Sequence, residues 1–418
     1  MTRRECGLKL LRLTTAYPAY LRSFYRSRRS LKRAPYAPQL AQLNADAFGW
    51  ADFWAHALAP LGYETREITA NAKPMQMAWA HEHGLSPGAD SWLLDVASAQ
   101  VMDFAPEVLF LDDYSVFTAK WIRELRARCR SIRLVLGWCG APYDDASVFE
   151  AYDVVLSCIP ELVEEFRSKG HKAFHLNHAF DPRIAAQLGE VVRDIDVSFI
   201  GQLVVERQGH HERLAILSQL AREIPVRIYS PQAWSLLDLS RGPIPYFIKS
   251  LIRIPWYHLY WTLHRAGLPV QAIRFFRRPL VWTQPPRLGS IPRSPIRGMR
   301  PGVYGMDMFR LLRRSKVTFN SHIDLSRNSA SNMRLFEATG TGACLVTDWK
   351  PNIRELFEPD AEVVTYRNAA ECIEKTKWLL DHPAECKRIA EAGARRTLTQ
   401  HTFAHRAPIL DAIVRQHI

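Results

Sequence analysis

The sequence contains no C-x-x-C pair and no His/Cys cluster at zinc spacing, and its seven cysteines (Cys6, Cys129, Cys139, Cys158, Cys344, Cys372 and Cys386) are odd in number. That pattern argues against a disulfide framework or a structural metal and for a reducing, cytoplasmic compartment. No apolar run approaches the ~20 residues that cross a bilayer. The patch LKLLRLTTAYP near the start is interrupted by Lys9 and Arg12 and lacks a following small-residue cleavage site, so it reads as a first strand and not a signal peptide. Acidic residues are nearly absent from two stretches. Residues 1–33 hold ten Lys/Arg against Glu5 alone, and residues 231–300 hold eleven against Asp238 alone, net charges of +9 and +10 that leave the rest of a +13 chain at −6. No nucleic-acid motif accompanies this charge, so a duplex partner is not expected. A mildly acidic body with two basic, aromatic segments suits an anionic membrane surface or an anionic small ligand.

At 418 residues the chain exceeds the ~250–300 that one hydrophobic core serves, so two domains are expected. A hydrophobic share of 47% with 23% charged residues is that of a folded chain. In the first half, short apolar runs (LKLLRLTT, YETREIT, EVLFLDD, SIRLVLGWC, YDVVLSC, KAFHLNHAF) alternate with helical stretches at 41–62, 90–102, 118–129 and 160–169. After a connection at 181–193 the alternation restarts: DIDVSFIGQL, a helix at 210–222, VRIYS, a helix near 305–314, KVTFNSH, a short helix, ACLVTD, AEVVTY and helices from 368 onward. Apolar strands separated by helices predict parallel sheets covered on both faces. The expected fold class is α/β, with two doubly wound, Rossmann-like parallel-sheet domains facing across a cleft. Their expected limits are 1–186 and 187–400, with 231–300 an insertion in the second and 401–418 a helix crossing back to the first. The insertion mixes Trp, Tyr, Phe and Arg before turning proline-rich; it predicts an interfacial helix kinked at Pro255, against a lid packed on its own domain.

One stretch carries the chemistry, SNMRLFEATGTG at 331–342. Ser331 and Asn332 are good caps, Met333 to Ala338 are helix formers, and Gly340 and Gly342 are good stops. A helix opening after KVTFNSH turns its amides toward a crevice at the sheet edge, where phosphate is favoured. Glu337, an acceptor-only group, suits the two hydroxyls of a ribose, and Arg334 suits a phosphate oxygen or Glu337 itself. Spacing alone fits a weak surface Arg/Glu pair as well. In FIGQLVVERQGHHERL, Gly201 ends a strand and lets backbone approach a ligand, and Arg207 lies in the loop as a guanidinium for a diphosphate.

The segments VYGMDMFRLLRRSKVTFNSH, SNMRLFEATGTGACLVTDW, ELFEPDAEVVTY and HTFAHRAPILDAIV resemble group 1 glycosyltransferases of the CgeB-like, spore-maturation kind, which have the GT-B fold. The resemblance is strongest over 196–410; FGWADFW and GWCGAPY resemble the acceptor half of close relatives less distinctively. It implies a nucleotide-diphosphate sugar donor, with Glu337 on the ribose, Asn332 and Arg334 near the phosphates, and a glycine loop at Gly201 whose first basic position is here Gln202, a departure from the family, and whose second is Arg207. The superfamily's paired glutamates stand eight residues apart, which would put the first at Ser329. The carboxylate that contacts the sugar in a retaining mechanism is therefore absent.

Asp112 and Asp113 end the strand EVLFLDD, and His178 precedes the connection in LNHAFDP; each is a candidate base for an acceptor hydroxyl, against cap and packing roles for the same residues. No D-x-D stands where a metal would bridge a diphosphate, so donor binding is expected to need no metal or other cofactor. The expected function is transfer of a sugar to a polysaccharide, lipid-linked or protein acceptor, in the cytoplasm or at the inner face of its membrane. The alternative is an inactive scaffold of the same fold at that surface.

Overall fold

The computed structural model describes residues 7–143, 145–203, 210–231, 246–266, 268 and 299–418. Strands Lys9–Thr14 (β1), Glu64–Thr69 (β2), Val108–Leu111 (β3), Leu134–Trp138 (β4), Val154–Ser157 (β5) and Ala173–His175 (β6) form one parallel sheet in the order β2-β1-β3-β4-β5-β6. Every position of β3, β4 and β5 is buried, as expected of strands covered on both faces. The helix Ala119–Arg128 shows how the cover is built. Thr118 caps it by accepting from the Trp121 amide at 3.3 Å, and Trp121, Ile122 and Leu125 are buried while Arg123 and Glu124 are exposed.

Strands Ile195–Ile200 (β7), Val226–Ser230 (β8), Met299–Pro301 (β9), Ser315–Phe319 (β10), Cys344–Asp348 (β11) and Val364–Tyr366 (β12) form the second sheet, in the order β12-β11-β10-β7-β8-β9. Strand order reverses at β1/β3, where Leu11 pairs Leu109, and at β7/β10, where Val197 pairs Val317. Loops leaving the carboxyl ends of strands at such a reversal diverge, and ligands bind in the crevice they leave. By contacts the chain divides into two compact units, one of Met1–Ser198 with Val303–Ile418 and one of Phe199–Gly302. The second unit contains the helices His211–Glu223 and Tyr246–Arg265; the latter has Pro255 inside it and exposes Trp256 and Leu259. Most of the predicted insertion, and Arg207, lie outside the described residues.

Two expectations are corrected. The helix expected over 41–62 is two, Tyr36–Ala45 and Phe53–Leu58, because Ala47 (φ 54°), Gly49 (φ 65°) and Ala51 (φ 42°) turn the chain between them. A buried guanidinium holds that turn, since Arg12 Nη2 donates to the Ala51 carbonyl at 3.0 Å. The connection at 181–193 contains the helix Pro182–Leu188, capped by Asp181 with proline at its first position.

The terminal helix Phe403–His417 packs on Phe53–Leu58: the Phe403 ring stands 5.1 Å from Trp54 and 5.2 Å from Phe53, and Tyr63 donates to Asp411 at 2.7 Å. The short helix Arg334–Gly340 is seated on Phe180, and a Cβ at Gly340 would stand 2.5 Å from that ring. Gly340→Ala is therefore expected to lower stability by about 1–3 kcal/mol, the usual cost of overpacking, read as a shift of the denaturant midpoint at constant slope.

Candidate functional site

β10 and β11 are parallel neighbours, with Phe319 opposite Val346, so the residues just beyond them emerge side by side. Asn320 donates to Thr347 Oγ1 at 2.9 Å, and Asn332 donates to Asn320 Oδ1 at 3.0 Å while its own Oδ1 accepts the Leu335 amide at 3.3 Å. Asn332 thus fastens the start of Arg334–Gly340 to the end of β10. His322, buried, donates both its backbone N–H (3.0 Å) and its Nδ1 (2.7 Å) to Asp348 Oδ1, and Lys350 Nζ lies 3.2 Å from Asp348 Oδ2. Burial would raise the Asp348 carboxyl, but His322 and Lys350 outweigh it and hold the group well below the usual carboxylate range. With Nδ1 given to Asp348, the free position of the ring is Nε2, which is buried and has no hydrogen-bond partner among the described residues.

On the helix itself Arg334 Nη1 and Glu337 Oε2 are 2.8 Å apart, and Glu337 is 8% exposed. This is not the weak surface pair that spacing alone allowed: removing one member leaves the other charge largely buried. Tyr17, in the loop after β1, lies within electrostatic reach of the pair. It is 53% exposed, yet protein crowds its hydroxyl, and that crowding together with the Glu337 charge raises its pKa. Phe48 meets Tyr17 edge-on at 5.6 Å. Asn332, Arg334, Glu337 and Tyr17 therefore belong to one locality.

A second locality lies at the carboxyl ends of β1, β3 and β4. Arg12, 1% exposed, is bound by Glu67 Oε2 at 2.5 Å and by Asp112, and its guanidinium lies 5.3 Å from the Trp50 ring. Burial raises the Asp112 carboxyl despite Arg12. Asp113 accepts from Thr15 Oγ1, from the Ser115 amide (2.9 Å) and hydroxyl (2.6 Å), and from the Val116 amide (3.2 Å). Its oxygens are spent on the turn. His178 packs 5.7 Å from Trp50 and 5.2 Å from Trp138, and its Nδ1 has no partner among the described residues. Burial, helped by Arg406, pushes its pKa down to about 3, so the ring is neutral at ordinary pH. Of the three candidate bases only His178 presents a ring nitrogen with nothing bound to it.

In the other unit Gly201 ends β7 and donates to the Tyr229 carbonyl at 3.1 Å. Asp194 and Asp196 lie at the amino end of β7, paired with Arg314 (2.5 Å) and Lys316 (2.6 Å), away from the strand ends where ligands bind. Among the described residues no three His, Cys, Asp or Glu gather as a metal site, and no helix is long and apolar enough to cross a membrane. Sequence reasoning missed Tyr17, His322, Asp348 and Lys350. The signal was present: NSH follows one strand and TDWK closes another, and two parallel strands that are neighbours deliver such residues together.

Along 98% of its length the chain superposes on Anabaena Alr3699/HepE, solved in complex with UDP-glucose, covering 100% of that chain at a TM-score of 0.52 and 10% identity. It superposes likewise on a glycosyltransferase from Rickettsia africae ESF-5 (TM-score 0.51, 8% identity, 98% of each chain). The chain has the GT-B fold. Residues 284–412 also match the family described as Glycosyl transferase-like, a span that includes His322, Asn332, Arg334, Glu337, Asp348 and Lys350. By sequence alone the chain matches no curated protein.

Proposed function

We propose that the protein is a glycosyltransferase of the group 1, CgeB-like kind that moves a sugar from a nucleotide-diphosphate donor to an acceptor hydroxyl. The observation that carries this reading is the Arg334–Glu337 pair, largely buried and fastened through Asn332 to the end of β10, inside the segment that matches a glycosyltransferase family. Glu337 accepts from the ribose hydroxyls while Arg334 and backbone amides near Asn332 offset the diphosphate charge, so the donor binds without a metal. Binding of UDP-glucose by HepE supports a uridine donor. Ser329 in place of a sugar-contacting glutamate favours inversion, with the acceptor proton passing to a protein base. Asp112 is committed to Arg12 and Asp113 to its turn, which leaves His178 as the group that accepts the acceptor's hydroxyl. The acceptor is a saccharide, presented as a cell-surface polysaccharide precursor, on a lipid or on a protein, and the work is done in the cytoplasm, with the basic aromatic segment 231–300 resting on the inner face of the membrane.

Thermal denaturation with UDP, GDP, ADP and TDP, with and without chelator, tests the donor. One of them is expected to stabilise the protein equally in both conditions, less in Glu337→Ala and Arg207→Ala, and turnover of the matching sugar nucleotide is expected with it. Stabilisation by none contradicts the reading, and binding without turnover identifies an inactive scaffold. His178→Ala is expected to lower kcat about 10²–10⁴-fold at unchanged nucleotide affinity. Because burial keeps the ring neutral above about pH 3, the wild-type rate should show no loss between pH 7 and 5 from this group; a limb near 6.5 that vanishes in His178→Ala contradicts the depressed pKa, and an undiminished kcat in His178→Ala contradicts the base assignment.

A further inference from the structure

Residues 18–33, which form the helix Pro18–Ser27 and the turn Arg29–Arg33, hold six Lys/Arg, and the chain has no Asp or Glu between Glu5 and Asp46. Tyr20, Leu21, Phe24 and Tyr25 face inward and pack with Leu43, Ala72 and Met75 in a core cluster. Arg22, Arg26, Arg29, Lys32 and Arg33 are exposed. Arg28, only partly exposed, reaches Asp46 at 3.2 Å and lies 4.4 Å from the Phe24 ring. The apolar face of this helix is consumed by the protein's own core, so the segment cannot insert into a bilayer as an amphipathic helix does. Its aromatic rings are consumed with it, so it offers no stacking platform to a nucleic-acid base. What remains outside is a cationic face with no acidic residue of its own, on a chain whose residues beyond the two basic stretches net −6, a distribution that turns this face toward a negative surface.

We infer that the exposed face of Pro18–Ser27 and Arg29–Arg33 is an electrostatic docking surface for an anionic phospholipid bilayer. The surface is separate from the 231–300 segment and does not depend on the donor chemistry. Adsorption without insertion depends on ionic strength, because the Debye length falls below ~10 Å above 0.1 M salt.

The test is co-sedimentation of the full-length protein with vesicles of phosphatidylcholine alone or with roughly a third phosphatidylglycerol. Binding only to the anionic vesicles, reversed as salt rises from low to several-fold physiological, is expected. Each exposed cation contributes about fivefold to partitioning, so Arg22→Gln/Arg29→Gln/Lys32→Gln should bind on the order of a hundredfold more weakly. That variant should keep the melting temperature and the nucleotide-induced stabilisation of the wild type, which separates this inference from the donor reading. Should it fold poorly, Arg29→Gln/Lys32→Gln carries the same test at about 25-fold. Trp256→Ala/Leu259→Ala reports the contribution of Tyr246–Arg265. The inference is overturned if the charge variants bind vesicles as the wild type does, if lipid charge makes no difference, or if duplex DNA at equal phosphate concentration displaces the vesicles.

Discussion

Glu337→Gln is expected to weaken nucleoside-diphosphate binding by about a hundredfold in calorimetry, with the fold retained. A carboxylate accepting two ribose hydroxyls makes charge-assisted bonds of about 1.5–3 kcal/mol each, whereas the amide keeps one neutral acceptor and turns a donor toward the second hydroxyl. The same change releases Arg334, which is 2.8 Å from Glu337 in a largely buried setting, so some stability goes with it. Arg334→Met combined with Glu337→Gln removes both charges and should recover that stability without recovering affinity. If binding returns with stability, Glu337 acts only through Arg334 and not on the nucleotide.

Arg12→Met is expected to cause the largest loss of stability of any single substitution considered, about 3–5 kcal/mol, read from the denaturant midpoint. It leaves Glu67 and Asp112 buried without their shared cation and frees the Ala51 carbonyl that holds the loop carrying Trp50. Trp50 in turn backs Trp138 and His178, so activity should fall further than the folded fraction explains. The pH dependence has a definite sign. Burial pushes Glu67 up to about 7, opposed by Arg12, so the native chain holds this proton more tightly than the unfolded one. The stability it confers is complete below about pH 4.5 and is lost as pH rises through 7, by up to about 3 kcal/mol. Glu67→Gln should flatten that slope. A wild type that grows more stable from pH 5 to 8, with no change in slope on Glu67→Gln, contradicts this ordering.

The architecture was legible because both sheets are parallel and buried: runs such as VLFL and LVLGW read as strands by apolarity alone, and helices between them follow from length. Boundaries failed where tertiary charges overrode local propensity. FGWADFW looks helical, but Arg12 and Glu67, far away in sequence, pin Ala51 and the Ala55 amide (2.7 Å) and force a turn. Glu337 and Arg334 were found because both lie on one short helix, a local pattern. His322 and Asp348 were missed because their meeting depends on strand adjacency, which no single segment encodes. Asp112 was seen as a carboxylate at a strand end; that Arg12 claims it could be known only once β1 and β3 were placed side by side.

The most direct test compares, on the full-length wild type, the nucleoside diphosphate that stabilises it with the 2′,3′-dideoxy form of the same nucleotide. With Glu337 on the ribose, the dideoxy form should bind at least ~10-fold more weakly to the wild type and as well as its parent to Glu337→Gln. Equal affinity of the wild type for both nucleotides would contradict a ribose site at Glu337.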